Sequence, residues 1–155
     1  MTEEENKIYI EFSNRRKNFN LYLHAVDLSQ NIFTCPSCGF PTLSSRNSYE
    51  ICDICNWEDD GQDDQNADEV LGGPNSELSL TMSRIKIGTE FKILEQKLNG
   101  RLITNPDIFF SILENHRQRL KKVINEIGLY TDIRDPLYDK LKTTQNLIKQ
   151  DLIEK

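Results

Sequence analysis

Four cysteines in two C-x2-C pairs constrain this chain more than any other feature. Cys35 and Cys38 form the first pair, Cys52 and Cys55 form the second, and thirteen residues separate the pairs. Each pair brings two sulfurs to one side of a tight turn. Two such turns facing each other place four thiolates at the corners of a tetrahedron, with arms of about 2.3 Å around Zn²⁺. The spacing therefore predicts one structural zinc ion held by Cys35, Cys38, Cys52 and Cys55.

Other uses of the cysteines are less favoured. Disulfides are disfavoured in a reducing cytoplasm, and no βαβ pattern surrounds the redox-type spacing of Cys35 and Cys38. A four-sulfur site is closed, whereas catalytic zinc keeps one position open for water or substrate. Structural zinc sites bind with about 10–16 kcal/mol, which matches or exceeds the net stability of a whole domain. We therefore expect the metal to decide whether this segment folds.

Composition indicates a globular protein. The 155 residues are 37% hydrophobic and 28% charged, which is ordinary for a folded domain. No apolar run approaches the roughly 18 residues of a membrane span. The acidic start, Met1–Glu5, is unlike a secretory signal, which begins with basic and then apolar residues. We expect a cytoplasmic protein that folds as one compact domain over residues 1–155.

The net charge of −6 is concentrated in one acidic segment. Residues 58–69 hold seven acids and no base, and the rest of the chain carries +1. Such a segment repels nucleic acid and attracts a basic partner, although many charge runs are only solvated loops. A calcium loop is excluded because Ala67 falls where a bidentate Glu is needed. The residues predicted to bind a partner are Trp57, Glu58, Asp59, Asp60, Asp63, Asp64, Asp68 and Glu69.

Hydrophobic periodicity predicts helices on both sides of the cysteines. Large apolar residues recur every three or four positions over residues 7–28, which indicates a helix with one buried face. The start of this run, Ile8-Tyr9-Ile10, is also compatible with a strand. Ser76 or Ser79 is suited to cap a second helix. Asn105-Pro106 and Asp135-Pro136 each supply an N-cap and a proline at the first helical position, so each predicts a further helix start.

The intervening segment is expected to contain short strands. Residues 32–34 and 49–51 are β-prone runs separated by turn-forming residues. We therefore predict an α+β fold in which a small zinc-ribbon-like β-hairpin module packs with several α-helices, mainly C-terminal. The expected division is an N-terminal helical segment over 1–30, a zinc-ribbon-like module with the acidic loop over 31–75, and a helical pack over 76–155.

Three stretches resemble the cysteine-rich CPCC family of small bacterial proteins. They are residues 35–43, which begin Cys-Pro-Ser-Cys-Gly-Phe, residues 49–60 and residues 72–75. The resemblance extends from Phe33 to about Phe91. Many members of the family carry a third cysteine in the first motif, where this chain has Ser37. The resemblance implies a zinc-ribbon-like fold and a bacterial source, and some members look like immunity proteins encoded beside secreted toxins.

Little in the sequence supports an enzyme. His24 and His116 are the two histidines, and neither belongs to a recognisable triad or metalloprotease motif. The carboxylates of the acidic segment are contiguous and lack the apolar surroundings that would separate their pKa values. We therefore predict a protein without catalytic activity.

The residues favour a zinc-stabilised protein that binds another protein. Most concretely, we expect a bacterial immunity protein that neutralises a cognate toxin through its acidic surface, with Trp57 and exposed tyrosines such as Tyr130 or Tyr138 as anchors. Charge reversal at Asp63 and Asp64 is expected to weaken that complex and to leave the fold intact.

The alternative is a zinc-ribbon nucleic-acid-binding or transcription accessory module. It would use the basic residues of one predicted helix, and it would bind DNA or RNA in a salt-sensitive way. The net negative charge makes nucleic acid a less favoured partner than protein. The basic residues in question are Arg117, Arg119, Lys121 and Lys122.

Overall fold

A computed structural model of the full chain describes residues 1–99, 101–111 and 114. Along the chain, one α-helix precedes and another follows a long irregular segment that carries the cysteines and two short 3₁₀ turns. A further helical turn covers residues 106–111. In chain order the elements are α1 (Glu3–Ala25), the 3₁₀ turns Asp64–Asn66 and Gly73–Asn75, and α2 (Leu80–Leu98).

Helix α1 confirms the helix predicted near the N-terminus and begins four residues earlier than predicted. Thr2 caps it through a capping box with Glu5. The three glutamates of the first turn interact favourably with the positive end of the helix dipole. One face of the helix is buried at intervals of three and four residues. The buried residues are Ile8, Phe12, Arg15, Phe19 and Leu23.

Helix α2 begins after Ser79, one of the two residues predicted to cap it. The Ser79 side chain accepts a hydrogen bond from the Met82 N–H, and Asn99 ends the helix in the left-handed conformation. Gly88 lets α2 approach α1 closely, because a Cβ at this position would overlap Cγ2 of Ile8. The absence of a side chain at residue 88 therefore sets how the two helices pack.

The predicted β-hairpin is wrong. The described residues of segment 31–75 contain no β-strand and only two isolated bridges, Phe33 with Leu43 and Ile51 with Glu58. The α+β prediction is therefore corrected to a helical fold with an irregular cysteine-bearing segment. Part of the reason is that Tyr49, inside a run predicted to be extended, has a φ of 61°.

The start predicted at Asn105-Pro106 is confirmed. The Asn105 side chain accepts hydrogen bonds from the N–H groups of Asp107 and Ile108, and residues 106–111 are helical. The continuation of this helix to residue 128 and the helix predicted after Asp135 lie outside the described residues. The same holds for these residues singled out above: His116, Arg117, Arg119, Lys121, Lys122, Tyr130 and Tyr138.

One hydrophobic cluster joins the segments. Phe19 of α1, Leu80 and Ile87 of α2, and Phe109 pack with the cysteines and with Phe40. The Phe19 ring lies 5.5 Å from that of Phe40 and 5.1 Å from that of Phe109, which are distances typical of favourable aromatic pairs. The cysteine segment thus packs against α1, α2 and the helical turn that contains Phe109. Among the described helices, none has the length and hydrophobicity needed to cross a membrane.

Candidate metal centre

The structure brings the four predicted metal ligands together. Their sulfurs all lie within 4.8 Å of one another, and the Sγ atoms are 3.6 Å apart in both Cys35–Cys55 and Cys38–Cys52. A tetrahedron with arms of about 2.3 Å has edges of about 3.8 Å, so the cluster has nearly the size of a metal–tetrathiolate. None of the four cysteines is in a disulfide. The donor set fits one metal ion.

Each cysteine pair lies in a turn of the same backbone design. In the first turn, the Cys35 N–H donates to the Phe40 carbonyl at 2.8 Å and the Gly39 N–H donates to the Cys35 carbonyl at 2.9 Å. Gly39 has a φ of 81°, which favours glycine. In the second turn the Cys52 N–H donates to the Trp57 carbonyl and the Asn56 N–H donates to the Cys52 carbonyl. Asn56 has a positive φ, as Gly39 has in the first turn. Each run that was predicted to be a strand pairs with the residues that follow its own turn, Phe33 with Leu43 and Ile51 with Glu58, and not with the other run.

Several groups prepare the sulfurs for a cation. The Ser37 N–H donates to the Cys35 sulfur at 3.4 Å, and the Thr42 hydroxyl lies 3.0 Å from the Cys52 sulfur. Burial raises the pKa of the Cys35 and Cys38 thiols well above the usual value, because a thiolate without a nearby cation is costly in the interior. Burial acts in the same direction on Cys52, but hydrogen bonds with the other three sulfurs and with Thr42 outweigh it and hold the pKa of Cys52 well below the usual value. A bound metal supplies that positive charge and keeps the thiolates deprotonated.

Two buried arginines hold the first cysteine turn. The Arg15 Nε of α1 donates to the Cys38 carbonyl at 2.7 Å, and the Arg84 Nε of α2 donates to the Pro36 carbonyl at 2.7 Å. Neither residue was predicted from the sequence. A signal for Arg15 existed, because it falls on the apolar stripe of α1, three residues after Phe12. Each helix therefore contacts the turn through a guanidinium.

Ser37 is not placed as a fifth ligand. It is fully buried, and its hydroxyl lies 2.6 Å from the hydroxyl of Ser83, which is also buried. Position 37, where the resemblance described above implies a third cysteine, is therefore occupied here by one half of a serine pair. This pair links the first cysteine turn to α2.

Trp57 lies inside the protein. Its exposed fraction is 3%, and it belongs to the same hydrophobic cluster as the cysteines. Its Nε1 has no hydrogen-bond partner within the described part of the chain. The suggestion that Trp57 anchors a partner stays a prediction, but a partner would reach very little of its ring in this conformation.

Two of the predicted partner-binding acids are used internally. The fully buried Asp59 accepts hydrogen bonds from Arg46 Nε at 2.9 Å and from the Asn47 N–H at 2.8 Å. Asp63 accepts from Arg16 at 2.6 and 2.8 Å and from Arg46 at 2.7 Å. Partial burial raises the pKa of Asp63, but these arginines outweigh it and hold that pKa well below the usual range.

The remaining acids differ in exposure. Asp64 is 78% exposed on its side chain although it pairs with Arg84 at 2.7 Å. Asp68 and Glu69 are exposed. Two exposed apolar residues, Val70 and Leu71, follow them directly. The other two predicted residues, Glu58 and Asp60, are half-buried beside Asn75.

Comparison with known proteins gives a match over the central segment. Residues 33–97 match the family model described as Cysteine-rich CPCC. The matched span contains both cysteine turns, the acidic segment and nearly all of α2. No curated protein and no solved structure gave a significant match.

Proposed function

We propose that this chain, whose residues 33–97 match the Cysteine-rich CPCC family model, is a non-enzymatic protein-binding protein built around one structural Zn²⁺ ion. The observation that carries the proposal is the closed four-sulfur cluster. Cys35, Cys38 and Cys52 are fully buried, and all four sulfurs are near tetrahedral spacing. Zinc is the d¹⁰ ion that structural tetrathiolate sites of this kind commonly hold.

The proposed binding surface is the exposed part of the acidic segment. We define the acidic–apolar ridge as Asp64, Asp68, Glu69, Val70 and Leu71. Val70 is 54% and Leu71 is 53% exposed, so the ridge offers apolar contact area beside negative charge. This combination suits a partner with basic groups around an apolar patch, because charge complementarity speeds association and apolar contacts supply affinity.

Ion pairs inside the protein fix the loop that carries the ridge. Asp63 and Asp59 are tied to Arg16 and Arg46, and the Thr81 hydroxyl donates to Asp68 at 2.6 Å. These bonds hold the loop in one conformation, which lowers the entropic cost of binding. The acidic segment thus has two parts, one that holds the fold and one that faces outward.

The most concrete partner is a cationic bacterial toxin, which would make the chain an immunity protein. The support is the excess of acid on the ridge, together with the resemblance described above. A stable one-to-one complex with a basic toxin, recovered by affinity purification from the bacterium that encodes both proteins, is the expected result. Salt-sensitive retention on DNA or RNA without any protein partner would instead favour the nucleic-acid alternative.

Charge reversal on the ridge tests whether the ridge is the surface that binds the partner. The change Asp68→Lys with Glu69→Lys is expected to weaken the toxin complex, mainly by slowing association at low salt. The matched control is Glu77→Lys with Glu90→Lys, which makes the same change in net charge at two other exposed acids. Equal effects of the two double variants, or no effect of either, would contradict the ridge as the interface.

A further inference from the structure

We propose that Arg15 is the buried counter-charge of the metal centre, a positioning residue that favours the doubly negative metal–tetrathiolate over the empty cluster. This inference rests on the metal centre of the proposed function and does not depend on the partner. It concerns a residue outside the cysteine motifs.

The first observation is that Arg15 is buried beside the cluster. It is 6% exposed and its Nε donates to the Cys38 carbonyl at 2.7 Å. Its guanidinium carbon lies 5.2 Å from the ring centroids of both Phe40 and Phe91. The cation is therefore held in place by one carbonyl and two aromatic rings. The acidic groups that interact with it electrostatically are, from the largest effect to the smallest, Cys38, Glu11, Glu95 and Cys55.

The second observation is that Arg15 has no carboxylate within salt-bridge distance in the part of the chain that the structure describes. No Asp or Glu of the described residues lies within 4.0 Å of its guanidinium, whereas Arg16, Arg46 and Arg84 each have at least one. Glu11 and Glu95 line a cleft of about 470 Å³ together with Arg15. Both face Lys92, at 2.6 Å from Glu11 and 3.7 Å from Glu95.

A buried cation without a close anion is costly, so its charge must be compensated nearby. Four thiolates around one divalent metal carry a net charge of about −2. Because metal binding releases thiol protons, the metal-free cluster carries less negative charge than the loaded one. Arg15 therefore stabilises the loaded state relative to the empty state, and this difference is a contribution to metal affinity.

Arg84 provides a matched control. It is also buried, and its Nε donates to the same turn at the Pro36 carbonyl. Its charge, however, is already paired with Asp64 at 2.7 Å. Loss of Arg84 removes a comparable hydrogen bond to the turn, but Arg15 remains in place to balance the negative charge of the cluster.

The test is the zinc affinity of the full-length protein, measured by competition with a chromophoric chelator. We expect Arg15→Met to weaken zinc binding by about tenfold or more, in the range seen for residues that support metal ligands. Arg15→Lys keeps the charge and is expected to stay within about threefold of wild type, since the long-range electrostatic effect survives. Arg84→Met is expected to lose less affinity than Arg15→Met.

Three outcomes would overturn the inference alone: unchanged affinity in Arg15→Met, a loss in Arg15→Lys as large as that in Arg15→Met, or an equal loss in Arg84→Met. Circular dichroism of the zinc-loaded variants checks their helices. If Arg15→Met does not fold, Arg15→Gln replaces it as the uncharged variant in the same comparison. Wild-type protein that binds no zinc would overturn the proposed metal centre itself, which distinguishes the two failures.

Discussion

The change Asp63→Asn tests whether the acidic segment holds the fold together. Asp63 is 22% exposed on its side chain and receives three charge-assisted hydrogen bonds, two from Arg16 and one from Arg46. Asparagine keeps the shape and one acceptor oxygen but removes the negative charge between the two guanidinium groups. We expect the variant to be less stable while its metal centre stays intact.

The magnitude follows from these contacts. Breaking a buried ion pair by removing one partner costs about 3–5 kcal/mol. Asp63 is only partly buried, and Arg46 keeps Asp59 as a second partner, so we expect a loss of about 2–3 kcal/mol in the free energy of unfolding. That is a large part of the roughly 5–15 kcal/mol of a typical domain.

The assay is urea unfolding of zinc-saturated protein, with Glu69→Gln as the control because Glu69 is an exposed acid of the same segment. The folded-state pKa of Asp63 is depressed, so its contribution is fully present above the unfolded-state pKa of about 3.9 and is lost as the pH falls below it. The difference between wild type and Asp63→Asn should therefore stay constant from about pH 8 down to about pH 5, because acid strong enough to protonate Asp63 would also displace the metal from its thiolates. An Asp63→Asn variant as stable at neutral pH as Glu69→Gln would refute the reasoning.

Other parts of the structure make separate predictions. Gly88→Ala should lower the unfolding temperature despite the better helix propensity of alanine, because its Cβ overlaps Ile8. A double-mutant cycle should show that Ile8→Ala lowers the free energy of unfolding less in the Gly88→Ala protein than in wild type. Thr42→Val removes the hydroxyl 3.0 Å from the Cys52 sulfur and should weaken zinc binding by about tenfold in chelator competition. Cys52→Ser should lose the metal and unfold the cysteine segment, as metal analysis and thermal melts would show; retention of one equivalent with an unchanged melting temperature would contradict the four-sulfur site.

Features with a local cause could be predicted from the sequence. The buried stripe of α1, the Ser79 cap of α2 and the start at Asn105 all depend on residues a few positions apart. The cysteine cluster could be predicted as well, because metal geometry restricts the spacing of its ligands. These signals need no knowledge of the rest of the fold.

The hairpin was mispredicted because β-prone residues do not reveal where backbone hydrogen bonds go. The run at residues 49–51 has suitable side chains, but Tyr49 and Asn47 adopt positive φ. The backbone of each cysteine turn instead closes on itself, as in the Cys52 N–H bond to the Trp57 carbonyl. This tertiary requirement outweighs strand propensity.

The internal acids could not be identified because their partners are distant in sequence. Asp63 is 47 residues from Arg16 and 17 from Arg46, and no local pattern links such positions. A run of acids was therefore interpreted as one exposed surface. The structure also changes the expectation that charge reversal at Asp63 leaves the fold intact, because a lysine there would face Arg16 and Arg46 directly.

The most direct test of the account is the metal content of the purified full-length protein together with the reactivity of its thiols. The account predicts one equivalent of zinc per chain and four cysteines that react with a thiol reagent only after the metal is removed or the protein is unfolded. A folded protein without metal whose thiols react as freely as those of the chelator-treated protein would contradict the central claim.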